Sequence, residues 1–150
     1  MKIFITAVAL GLIGLGSGVA LAETAAVVER GVEGLTRVPF RADNRSDGPI
    51  ECEAAVAHWY SAKIGSAAAG GSVTGALWSN PATGAVFLLN DKQERMPVQS
   101  LWCGLAGRAA MTRADVYLER RQGVAEPAVR IACGDLTARG ALVCHQAAGN

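Results

Sequence analysis

Four cysteines, Cys52, Cys103, Cys133 and Cys144, constrain this chain more than any other feature, because all of them lie behind an apolar leader. The leader reads MKIFITAVALGLIGLGSGVALAETAAV. Lys2 gives it a positive start, residues 3–19 carry no charge, and Ala20-Leu21-Ala22 puts small residues where a signal peptidase needs them. Residues 1–22 therefore read as a secretory signal peptide, cut after Ala22. A membrane anchor is the alternative for the same run, but its four glycines and the A-x-A site favour cleavage. The expected location is periplasmic or secreted, with no membrane span left after cleavage.

An even number of cysteines in an oxidising compartment points to two disulfides, for which three pairings exist. The tail VRIACGDLTARGALVCHQ favours one of them. Residues 129–133 and 141–145 are rich in strand formers, and GDLTARG between them has a glycine at each end to take up positive φ. In such a hairpin Cys133 and Cys144 face each other, close enough to bridge. Cys52 is left with Cys103 by exclusion.

The adjacent Cys144 and His145 raise the question of haem or metal. Covalent haem needs C-x-x-C-H, and position 141 is alanine. The intervals between cysteines, 51, 30 and 11 residues, contain no zinc-type pair. No metal and no cofactor is expected, and His145 reads as a residue at a strand end.

One of the 14 basic residues, Lys2, belongs to the leader, so the rest of the chain has 13 basic and 13 acidic residues. The basic ones are scattered, with Arg120-Arg121 the only adjacent pair. Nucleic-acid binders usually carry a basic surplus or stripe, so nucleic acid is not an expected partner. The length beyond the leader suits one domain with a modest core.

Residues 23–49 form a poorly patterned N-terminal segment. Within it ETAAVVERGVEGL has the look of a short helix, LTRVPF (35–40) of a short edge strand broken by Pro39, and ADNRSDGP of a loop. Residues 50–150 are the disulfide-stabilised β domain. In IECEAAVAHWYSAKI (50–64) every even position from Ile50 to Ile64 shares one face, which argues for one long strand. A helix, favoured by the alanines, is the competing reading.

SVTGALW (72–78) is a strand, NPATG (80–84) a turn with Gly84 able to go left-handed, and AVFLLN (85–90) the returning strand. MPVQSLWC (96–103) is the next strand, with Pro97 near its start. GLAGRAAM is loop or a helical turn. TRADVYLE (112–119) alternates as a further strand. The sum is a mainly β fold: a small antiparallel sandwich or barrel of about seven strands, with room for one short helix.

No G-x-S-x-G, P-loop, H-E-x-x-H or dinucleotide motif is present. No catalytic residue can be named from the sequence. Candidate binding residues are the aromatic cluster His58, Trp59 and Tyr60, together with Trp78 and Trp102 on probable strands. The expected function is a non-enzymatic exported β-domain that binds a protein, peptide or cell-envelope component. One alternative is a small envelope hydrolase using His58 or the Glu51/Glu53 pair, which stand two apart on one strand. The other is a purely structural envelope protein.

Overall fold

The computed structural model describes residues 27–57 and 60–147. Among the described residues nine strands carry the fold: β1 (Thr36–Asn44), β2 (Ile50–Val56), β3 (Tyr60–Ala67), β4 (Ser72–Ser79), β5 (Val86–Leu89), β6 (Arg95–Leu105), β7 (Ala114–Asp115), β8 (Val129–Leu136) and β9 (Leu142–Gln146). They join into one hydrogen-bonded path, β3-β2-β6-β5-β4-β1-β8-β9, with β7 paired to β6 beside it.

β6 serves three ladders, the one with β7 being formed by Trp102 and Cys103. Its first residues, Arg95 to Pro97, pair with β5, and the remainder, from Val98 to Leu105, pairs with β2. A single hydrogen bond, from Leu142 N to Thr112 O, reaches from the start of β9 to the segment before β7. No ladder completes the circle, so the barrel alternative is corrected: the sheet stays open.

Alternation decides which side chains go inside. β1 buries Val38, Phe40, Ala42 and Asn44 and exposes Arg37, Pro39 and Arg41. β2 buries Ile50, Cys52, Ala54 and Val56 in the same rhythm. These residues meet Val73, Leu77, Val86, Val98, Leu101, Val129 and Ile131 in one core. Both disulfides lie in it. Cys52 and Cys103 are direct partners in the β2–β6 ladder, Cys133 and Cys144 in the β8–β9 ladder, and both pairs are bridged. The tail turn has Gly140 at φ 79°, closed by Thr137 N to Ala141 O.

Four expectations are corrected in detail. No helix is present among the described residues. Residues 50–64 are not one strand but two arms of a hairpin, β2 and β3, with Val56 opposite Tyr60 and Ala54 opposite Ala62. From Glu53 to Val56, next to the turn, even-numbered positions pair with even-numbered ones, and a bulge at Cys52/Glu53 shifts the register only beyond that. The alternation therefore passes through the reversal unbroken and hides it.

Residues 112–119 do alternate, with Val116 and Leu118 buried and Tyr117 and Glu119 exposed, yet only Ala114 and Asp115 form ladder pairs. Periodicity reports burial rather than hydrogen bonding, so it overestimated the strand. Finally, β1 is not an edge. It lies between β4, antiparallel, and β8, which runs parallel to it. The β8 register begins at Phe40, one residue past Pro39, so the proline sits just outside that ladder.

Two loops are tied to the sheet by specific contacts. Gly84, at φ 76°, lies so close to the Arg120 carbonyl that a Cβ would come within 2.5 Å of its oxygen. Asn44 is buried at the end of β1. Its Nδ2 donates to the carbonyls of Gly48, Ala67 and Ala68, and its Oδ1 accepts from Ser46 N and Ser46 Oγ. It thereby ties the β1–β2 loop to the β3–β4 loop.

Candidate functional site

The residues singled out in the sequence do not converge on one spot. His58 and Trp59 lie outside the described residues. Tyr60 begins β3 and is 72% exposed. Trp78 is half-buried on β4, with Arg37 on one side of it in the ladder and Phe87 on the other. Trp102 is only 5% exposed, and the Arg113 guanidinium sits 5.3 Å from its ring centroid. Its Nε1 has no hydrogen-bond partner among the described residues.

Glu51 and Glu53 share the outward face of β2. Glu51 is committed on both oxygens: Oε1 accepts from Gly107 N at 2.8 Å and Oε2 from Lys63 Nζ at 3.0 Å. The Lys63 hydrogen bond, then that from Gly107, holds its carboxyl below the ordinary 4.5. A glycosidase-type general acid needs the opposite shift.

The lowered value has a consequence for stability. A carboxyl with a folded-state pKa below its unfolded one stabilises the fold fully above pH 4.5 and loses that contribution as pH falls through the lower folded value. Glu51→Gln should therefore cost about 1 kcal/mol at neutral pH, the scale of a solvent-screened pair with one amide hydrogen bond. Urea unfolding curves of the two proteins should converge in acid. A cost that persists unchanged in acid would show that charge is not its source.

The most unusual arrangement is on the outward face of β1 and β8. Burial of Phe40 against Val129 and of Ala42 against Ile131 pins the register of the parallel ladder. That register leaves Arg41 directly opposite Arg130. Neighbouring strands are only about 4.8 Å apart, and like charges directly opposite are destabilising.

One of the two is compensated. Arg41 Nε donates to Asp43 Oδ1 at 2.7 Å and its Nη2 to Ser72 Oγ at 2.9 Å, while Ser72 Oγ donates to the same Asp43 oxygen at 2.7 Å. The Ser72 hydrogen bond, helped by Arg41 and Arg45 and opposed by burial, lowers the Asp43 pKa from its ordinary 3.8. Arg130 forms no ion pair with a described residue, and neither do Arg37 and Arg45.

These arginines border two adjoining grooves. One, of about 500 Å³, is lined by Arg37, Arg41 and Arg130 with Pro39, Phe40, Thr74, Gly75 and Val129, and no carboxylate. The other, of about 700 Å³, includes Arg41, Arg45, Arg130 and His145, together with Asp43 and Asp135. Arg41 and Arg130 belong to both. A guanidinium offers a planar fork of donors suited to carboxylate, sulfate or phosphate oxygens. Arg41 is also pre-positioned by Asp43 and Ser72, so less of its side-chain freedom remains to be lost on binding.

Sequence reasoning missed this face. One signal was present: Arg37, Arg41 and Arg45 recur every fourth residue, a spacing that keeps Arg37 and Arg41 on one side of β1, with Arg45 just past its end. Arg130 could not be added without knowing that β8 lies beside β1.

The chain matches no family model, no curated protein and no solved structure. Among the described residues no helix is long and apolar enough to cross a membrane.

Proposed function

We propose that this chain is an exported, non-enzymatic β-domain that binds an anionic component of the cell envelope on the outward face of β1 and β8. The observation that carries the reading is the direct opposition of Arg41 and Arg130, with Arg37 beside them and no carboxylate in the groove the three share. Arg41 is compensated by Asp43, but Arg130, held opposite it by the pinned register, has no ion-pair partner among the described residues, and a local rule broken in this way is expected where a ligand supplies the compensation. The leader sequence and the two disulfides support export into an oxidising compartment.

The accompanying fold reading is a sandwich-like doubling of the sheet. It is supported by the close approach of β3 to β4, where the Ile64 side chain lies 2.7 Å from the place a Cβ on Gly75 would occupy. The ligand side is then the face of β1, β8 and β9 turned away from that packing.

The test is retention on immobilised heparin, used as a generic polyanion, at low salt. The unaltered protein should bind, and Arg37→Gln/Arg130→Gln should bind about tenfold more weakly while unfolding at the same denaturant concentration. Both side chains are exposed, so the fold does not depend on them. No retention of the unaltered protein, or equal retention of the variant, overturns the reading.

A further inference from the structure

Resting on that reading, we infer that the ligand is a linear acidic glycan lying lengthwise along β1, and not a single small anion. Arg37 and Arg41 on β1 and Arg45, the residue just past its end, follow one another at four-residue intervals, and the two grooves are continuous because Arg41 and Arg130 line both. At about 3.3 Å per strand residue, the Cα positions of successive arginines are about 13 Å apart and the outer two about 26 Å apart. A lone phosphate or sulfate engages one end of such a row. A chain with charges at intervals engages all of it, and each further contact is then intramolecular.

The chemistry of the face discriminates between polymers. Its free polar groups are mainly donors: guanidiniums that carry no acceptor at all. From Phe40 to Asp43 the main chain of β1 is engaged in ladders on both sides, so a peptide cannot add to it there as a further strand. An extended acidic peptide laid on this face would bring its own N–H groups to a surface with few acceptors. Of the two carboxylates there, Asp43 already accepts on Oδ1 from Arg41 and Ser72, which leaves few acceptors for those N–H groups.

A glycan presents carboxylate, sulfate and ring oxygens as acceptors, and its hydroxyls can both give and take. The half-buried Trp78 stands beside Arg37 in the ladder, with Phe87 beyond it. It offers an amphipathic ring on which the C–H face of a sugar can rest. The near-balanced charge of the chain, formally +1 over its whole length, is unlike that of a nucleic-acid binder.

The experiment is calorimetric titration of the full protein with size-graded heparin oligosaccharides, from disaccharide to decasaccharide. Single-stranded DNA and polyglutamate of matched charge serve as competing polyanions. Affinity should climb with length until the oligosaccharide spans the row of about 26 Å, then level off. Arg45→Gln should cost the long oligosaccharides about tenfold and leave the disaccharide unchanged. Equal affinity along the series, or no selective effect of Arg45→Gln, overturns the lengthwise track while leaving an anion-binding face. DNA or polyglutamate binding as tightly as the glycan overturns the ligand class. Failure of every polyanion to bind overturns the anion-binding reading beneath both.

Discussion

Removing the Cys52–Cys103 bridge with the double change Cys52→Ala/Cys103→Ala should lower the unfolding free energy by about 4 kcal/mol. The bridge closes a stretch of 51 residues, and the entropy it removes from the unfolded chain grows with that length. It also fastens β2 to β6, the strand that pairs with β5, β2 and β7. Both side chains are fully buried, so alanine leaves a small void in addition. The second bridge closes only 11 residues. Cys133→Ala/Cys144→Ala should therefore cost less, about 3 kcal/mol. Urea unfolding of the three oxidised proteins gives the comparison. An equal or reversed order would show that native packing, not loop length, sets the contribution. A domain of this size has about 5–15 kcal/mol in all, so the first variant should be close to the limit of folding.

Asn44→Ala should cost about 3 kcal/mol. The side chain is 2% exposed and satisfies three carbonyls and two donors of the neighbouring loops. Alanine leaves the carbonyls of Gly48, Ala67 and Ala68 and the amide of Ser46 to find other partners. Asn44→Asp should do no better, because it keeps the acceptor, discards the donors and places a charge at a buried site facing carbonyl oxygens. Hydrogen exchange localises the damage. The amide of Gly70 donates to the Asn44 carbonyl, and that of Asn44 to the Gly71 carbonyl. Both should lose protection more than β5 or β6 does. Uniform loss across the sheet would mean that Asn44 supports the whole fold and not this junction.

Features were legible in the sequence to the extent that they are local. The tail hairpin could be read because its strands, turn glycine and two cysteines lie within eighteen residues. The strands from Ser72 to Leu105 could be read for the same reason: each is joined to the next by a short turn. The β2–β3 turn was hidden because its register keeps parity, and the extent of β7 was overestimated because burial alternates without pairing. The arginine face depends on a parallel ladder between distant segments, and no local pattern encodes which strand comes to lie beside β1. Residue type does not distinguish the candidate aromatics, and burial does: Trp102 is inside, while Tyr60 is on the surface.

The same parallel ladder sets a timetable for folding. Phe40 pairs with Val129, a partner 89 positions further along the chain. β4, on the other flank of β1, begins only 28 residues after β1 ends, so that flank can form early. The flank that takes β8 has to wait for the last quarter of the sequence. Contacts of such separation form slowly, because the chain entropy of closing the loop is lost before any contact compensates it. During that interval β1 presents an unpaired edge, which is a template for another chain. The exposed arginines along that strand repel a second copy of themselves. The row of charge that marks the candidate site would thus also keep half-folded molecules apart until β8 arrives.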